Sequence, residues 1–137
     1  MFAARSDRVP LSDAWLDGDA TARWSSATMT APACGAQHSG SSVLEVEPGC
    51  RLPRHTDSVE ETIIVLAGVA DVTVGRRRAA LPAGGVALVP SRVPHEVRNA
   101  GRETLRFLAM YAAAHVVTRY EAEVQPDGST EREPLDA

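Results

Sequence analysis

An all-β barrel or sandwich is the fold class this sequence predicts. Short apolar runs rich in Val, Ile and Leu recur along the chain, and Gly and Pro turns separate them. No stretch carries an amphipathic pattern over three turns of helix. Many short strands without helices leave few ways to bury a core other than stacking or closing a sheet. No internal repeat is evident.

The elements follow in order. Residues 1–22 mix alanine, polar residues and a proline, which suits an N-terminal arm with one edge strand. "ARWSSATMT" reads as a strand with Trp24 as an anchor, and "APACGAQHSGS" has loop composition. "SVLEVEPG" is a short strand ending in a Pro-Gly turn, and "ETIIVLAG" is a β-branched strand closing on Gly68. "VADVTVGRRR" alternates: Ala70, Val72 and Val74 face one way, Asp71 and Thr73 the other. Its arginines, Arg76 to Arg78, belong at an exposed hairpin tip. "AALPAGGVALVPSRVPHEVRNAG" holds short apolar runs broken by Pro and Gly, and "ETLRFLAMYA" and "HVVTRYEAEV" are two further strands. Phe107 and Tyr111 sit on the first of these, as core or as cavity lining. The barrel is expected over 23–124, followed by a polar, mobile tail over 125–137.

The 137 residues fit one domain. A domain near this size buries roughly 70% of its unfolded surface, so it needs no disulfide framework. Cys34 and Cys50 are expected to be free thiols in a reducing compartment. A formal net charge of −4 argues against a nucleic-acid partner. The opening "MFAARSDRVPLSDAW" has no apolar run, so neither a signal peptide nor a membrane span is expected, and the cytoplasm is the expected location.

The chemistry concentrates in "RHTDSVEET", where His55, Asp57, Glu60 and Glu61 crowd the mouth of an apolar strand. Along a straight strand His55 and Glu61 would lie roughly 20 Å apart. A shared site therefore requires a turn, and Asp57-Ser58 is turn material. His55 and Asp57 would then share a face of one strand, and Glu61, Ile63 and Val65 would point inward from the next. Parity sends Glu60 outward, where it is structural and not a base. Two carboxylates about 5 Å apart repel by about 3 kcal/mol at an effective dielectric near 20. Either the acids are solvated on a loop or a divalent cation reverses that sign. His38 and His115 have no spaced partners, and Cys50, just after the Gly49 turn, reads as small packing.

His95 follows the apolar run Val86 to Val89 and a Pro-bounded turn. Gly49 is followed by five residues, then His55-Thr56-Asp57, three residues, Glu61, six residues and Gly68. Gly84 is followed by five residues, then Pro90-Ser91-Arg92, two residues, His95, three residues and Asn99. In both spacings the chain resembles the cupin superfamily, with Asp57 in place of the second histidine of the first motif and Arg92 in place of the turn glycine of the second. The resemblance implies a jelly-roll β-barrel, also called a double-stranded β-helix. It implies His55, Asp57, Glu61 and His95 as ligands of a divalent metal, with Glu61 also a catalytic general base. Gly49, Gly68, Gly84, Pro90 and Asn99 become turn residues. Two histidines and two carboxylates favour Fe, Mn, Ni or Zn. Arg92 would place a cation near the barrel mouth, facing an anionic substrate or solvent.

The expected function is that of a small metal-dependent cupin enzyme of dioxygenase, cyclase, isomerase or lyase type. Its substrate would be a small organic molecule in an apolar cavity, with secondary metabolism the setting suggested by family analogy. The alternative is a non-catalytic small-molecule-binding cupin or sensor; a cupin-type sugar-nucleotide epimerase, which does not need this ligand pattern, ranks below both. Cupins commonly pair through an outer sheet, and the outward set Thr62, Ile64 and Leu66 is apolar enough to predict a homodimer.

Overall fold

A computed structural model describes residues 1–136. Its strands are β1 (Ser12–Leu16), β2 (Asp19–Thr30), β3 (Gly40–Val46), β4 (Arg51–Asp57), β5 (Glu61–Ala67), β6 (Val69–Val74), β7 (Arg77–Pro82), β8 (Val86–Val89), β9 (His95–Asn99), β10 (Leu105–Tyr111), β11 (Thr118–Gln125) and β12 (Ser129–Arg132). Among the described residues the helical content is one 3-10 turn, Pro32–Cys34. None of their helices is long and apolar enough to cross a membrane.

The strands form one rolled sheet in the order β7-β6-β9-β4-β11-β1-β2-β3-β10-β5-β8, with β12 added to β11 and a parallel contact between β2 and β4. All other pairings are antiparallel. Several strands adjacent in sequence, such as β4 and β5 or β8 and β9, fall in opposite halves of this order. That alternation makes a jelly roll, and it lets a short turn carry the chain from one wall of the barrel to the facing one.

Strand parity builds the core. On β5, Glu61, Ile63 and Val65 are buried, while Thr62, Ile64 and Leu66 face outward. Val46, Val97, Leu105 and Phe107 join Ile63 and Val65 in the apolar interior, so Phe107 is core. Gly68 turns between β5 and β6 at φ 82°, and a Cβ there would stand 3.0 Å from the Leu105 backbone, so glycine is required twice over. Asn99 ties three segments together. Its amide donates to the Val46 and Glu103 carbonyls, both at 2.8 Å, and its oxygen accepts from the Gly101 N–H at 2.8 Å.

The termini depart from expectation. β1 is not an edge strand, because it pairs with both β11 and β2. The tail expected to be mobile carries β12, which folds back as a hairpin partner of β11. Its lone large apolar residue, Leu135, is buried beside Gly40, where an added Cβ would come 2.1 Å from Leu135 Cδ1. The Thr28 hydroxyl also donates to the Pro134 carbonyl at 2.9 Å. The tail lacks apolar periodicity because it docks by backbone pairing and one anchor rather than by a face. Arg76 begins an exposed turn between β6 and β7, as expected of that hairpin; Arg78 instead holds Asp71, with Nε 2.7 Å from Oδ1.

Leu135→Ala is expected to lower stability by about 2–3 kcal/mol, because the removed side chain is buried. Urea unfolding followed by tryptophan fluorescence measures this; a loss below about 0.5 kcal/mol would mean that the tail is not docked.

Candidate metal centre

His55, Asp57, Glu61 and His95 come together, all buried, each offering one ligand atom within 4.8 Å of the others. Strand register explains how. β4 lies between β9 and β11, and across those ladders His55 is directly opposite His95 on one side and Tyr120 on the other. Asp57, two residues on, occupies the same face of β4 and stands opposite Thr118. The turn at 58–60 then crosses the barrel. Its geometry is held by the Ser58 N–H to the Val117 carbonyl and by the Val117 N–H to the Ser58 hydroxyl, both at 2.9 Å. Glu61 consequently enters from the facing wall, opposite Tyr111 of β10. Glu60 points out and is exposed, as parity predicts.

Both imidazoles are fixed. Nδ1 of His55 lies 2.7 Å from the Pro53 carbonyl, and Nδ1 of His95 lies 2.9 Å from the Val93 carbonyl. A carbonyl only accepts, so each Nδ1 carries its proton and each neutral ring turns a bare Nε2 lone pair into the site. His95 Nε2 lies 3.1 Å from Asp57 Oδ2 and 3.1 Å from Glu61 Oε1; His55 Nε2 is 3.9 Å from Asp57 Oδ2. Thr118 donates to Asp57 Oδ1 at 2.7 Å, which fixes that carboxylate. The other oxygen, Asp57 Oδ2, is buried without a hydrogen bond among the described residues.

With both rings neutral, this is a ring of acceptors with no donor, and burial makes that costly. The cluster is short of a donor, which a proton on Glu61 or His95, or a metal ion, would supply. Burial opposes a charge on His95, but the Asp57 and Glu61 carboxylates outweigh it and raise its pKa to about 10. Burial pushes Glu61 up to about 7, with the Asp57 charge adding to it. Burial also opposes the Asp57 charge, yet the adjacent His95 and the Thr118 hydroxyl leave Asp57 below the usual carboxylate range. His55 is driven down to about 4 by burial and then by the charge on His95, so it is neutral at pH 7. Ligands about 2.1 Å from one ion lie between about 3 Å and about 4.2 Å from each other. The four side chains therefore fit a divalent metal with small closing movements, and the unpartnered Oδ2 would gain a partner.

A cavity of about 960 Å³ adjoins the cluster. It is not the apolar chamber expected. Ser26, Thr28 and Ser42 turn hydroxyls into it from β2 and β3, and Tyr111 and Thr118 complete the rim of the cluster. The reason is parity again: Ser26, Thr28 and Ser42 share the inward rows of β2 and β3 with Trp24 and Leu44. An aromatic stack forms one wall, with Trp24 5.4 Å from Tyr120 and Tyr120 5.0 Å from His55 between ring centroids. Trp24 is the anchor expected of β2. Thr118 and Tyr120 were not foreseen as site residues; their two-residue spacing mirrors His55 and Asp57, but only the β4–β11 register reveals it.

The turn before His95 keeps a left-handed residue without glycine. Arg92 adopts φ 63°, and its N–H donates to the Asp57 carbonyl at 2.8 Å, tying this turn to the strand that carries His55 and Asp57. Its side chain is exposed and does not line the cavity, so Arg92 is not a mouth cation. His38 and His115 lie outside the cluster and are exposed. Cys50 is a half-buried free thiol packed against the core.

No curated protein sequence matches the chain significantly. Among solved structures, the cupin domain of Schizosaccharomyces pombe Cnp3 aligns at a TM-score of 0.67 and 19% identity, over 81% of this chain and 73% of that one. The oxalate decarboxylase of Bacillus subtilis, a protein with Mn(II) centres, aligns at a TM-score of 0.62 and 25% identity, over 74% of this chain and 28% of that one. The formate complex of Lactobacillus farciminis oxalate decarboxylase aligns at 0.63 and 24%, over 66% of this chain and 29% of that one. The chain thus spans less than a third of the length of those decarboxylases. The cupin domain family model matches residues 42–111, just over half of the chain, and includes all four clustered residues. With that match, the jelly-roll topology and the four side chains gathered at its mouth, this chain belongs to the cupin family.

Proposed function

We propose that the protein is a metal-dependent cupin enzyme acting on a small organic molecule bound at the barrel mouth. The observation that carries this reading is the convergence of two Nε2 atoms and two buried carboxylates, with both Nδ1 atoms committed to backbone carbonyls. His55, Asp57, Glu61 and His95 would hold the ion, and Mn, Fe, Ni and Zn suit the donor set. The Mn(II) centres of the similar decarboxylase make Mn the first to test. Bound there, the metal would supply Lewis acidity or a site for activating small molecules.

The chain's own residues would supply the rest. Thr118 holds Asp57 in place, and the carbonyls of Pro53 and Val93 hold the imidazoles in the ligating tautomer. Glu61, buried and facing the cavity, would take or return a proton at Oε1. Ser26 and Ser42 would orient polar groups of the substrate, and the Trp24–Tyr120 stack would cover a flat face of it.

Protein purified without chelator or nickel resin is expected to carry, or to take up on titration, close to one equivalent of Mn, Fe, Ni or Zn. Asp57→Ala and His95→Ala should each lose it, as read by elemental mass spectrometry. No uptake of any of the four by the parent protein would overturn the metalloenzyme reading and leave a barrel that binds its ligand without metal.

Metal uptake should depend on pH with a defined sign. Glu61, raised to about 7, and His95, raised to about 10, hold protons in the metal-free protein that an ion must displace. Protonation grows as pH falls, so apparent affinity should weaken as pH drops from 8 to 6, by up to about tenfold per unit for each proton released. Competition titrations at several pH values measure the slope; a flat profile would contradict a site with these proton affinities.

We further propose a homodimer. In the isolated chain Leu66, Val86, Leu88 and Met110 are 39–58% exposed on the outward side of β5, β8 and β10, and Thr62 and Ile64 are half-buried beside them. Sedimentation velocity should show a dimer that Leu88→Glu dissociates. A monomer at high micromolar concentration would exclude it.

A further inference from the structure

The C-terminal hairpin brings a cation to the cavity that belongs to neither cupin motif. Arg132, the last residue of β12, is directly opposite Thr118 across the β11–β12 ladder, and Thr118 is directly opposite Asp57 across the β4–β11 ladder. Directly opposed residues in antiparallel strands project from the same face. Asp57, Thr118 and Arg132 therefore form one row across three strands. Two strand spacings, about 10 Å, separate the backbone of Asp57 from that of Arg132. Arg132 also lines the cavity.

Its guanidinium is under-used. Nη1 is buried and has no hydrogen bond among the described residues. Among the described residues its one ion-pair partner is Asp127, 3.5 Å from Nη1 and itself 57% exposed. The other acids of this rim are engaged elsewhere. Glu131 accepts from Arg119 at 2.8 Å, and the Glu133 carboxyl, next to that of Asp136, is raised above its ordinary pKa by it. A guanidinium presents a planar fork of five donors, and with the side chain 32% exposed and one long contact to Asp127, the rest of that fork is open to a ligand in the cavity.

We propose that Arg132 is a specificity-determining residue that binds the carboxylate of the substrate, so that the substrate class is a small organic monocarboxylate with a flat body against the Trp24–Tyr120 wall. This deepens the enzyme reading above and rests on it for the word substrate, though not for the binding itself. The planar carboxylate matches the fork of Arg132. A phosphate dianion matches it less well, because it would meet Asp127, Glu131 and Glu133 with twice the charge. The row also gives a direction to binding: the acid group lies toward the C-terminal hairpin, and the rest of the molecule reaches back toward Asp57 and its three neighbours.

The test is isothermal titration calorimetry on the full chain, with and without Zn(II), using benzoate, 4-hydroxybenzoate and cinnamate, each paired with its neutral amide, and with phenyl phosphate as the dianion. At least one carboxylate is expected to bind about tenfold or more tightly than its amide and than phenyl phosphate. Arg132→Gln should remove that preference while leaving the melting temperature, metal content and amide binding unchanged. Asp127→Asn, which removes the competing carboxylate, should tighten carboxylate binding severalfold. If no carboxylate outbinds its amide in the parent protein, or if Arg132→Gln keeps the preference, the proposal fails. Carboxylate binding that depends on Arg132 in a protein that takes up no metal would sink the metalloenzyme reading and leave this one standing.

Discussion

Two backbone carbonyls govern this molecule's chemistry. The Pro53 and Val93 oxygens take the Nδ1 protons of His55 and His95, and each leaves an Nε2 lone pair facing two carboxylates in a buried space. Nothing within the cluster can then satisfy all of its acceptors. A proton on Glu61 or His95 meets part of that shortage, and a metal ion would meet all of it. Burial raises the proton affinity of Glu61, the two carboxylates raise that of His95, and one Asp57 oxygen lacks a hydrogen bond among the described residues. Holding the cluster together requires stiffness, which the antiparallel ladders on both sides of β4 provide.

The rest of the fold reads as support for that point. β4 is flanked by β9 and β11, so the residues opposite its two ligand positions, His95, Tyr120 and Thr118, are chosen by register and not by sequence proximity. The short crossing at 58–60 delivers Glu61 from the other wall. Arg92 accepts a left-handed backbone so that its N–H can reach the Asp57 carbonyl, which locks the second motif to the first. Asn99 closes the far end of the same strand by joining β9 to the end of β3 and to the loop before β10.

The cavity's polarity follows from where small and large residues fall along the strands. Aliphatic side chains fill the deep layer, and Ser, Thr and Tyr take the inward positions near the mouth. A ligand there meets hydroxyls and an aromatic wall. It also meets the C-terminal hairpin, which lies outside the part of the chain that the cupin family model covers. The four clustered residues and the cation at the cavity wall thus come from different segments.

Much of this was legible in the residues. Period-two alternation placed the strands, the spacing of His55, Asp57 and Glu61 demanded a turn, parity separated Glu61 from Glu60, and the two motif spacings identified the fold. These are local properties, and a strand's face is determined by counting. What counting cannot supply is which strands lie side by side. The pairing of β4 with β11 brought Thr118 and Tyr120 to the cluster, and the pairing of β11 with β12 carried Arg132 to the cavity wall and turned a polar tail into structure. The first joins residues about sixty positions apart, and the second is a hairpin whose docking hangs on one anchor, Leu135. No local pattern records them, because the free energy that selects them comes from closing the whole sheet.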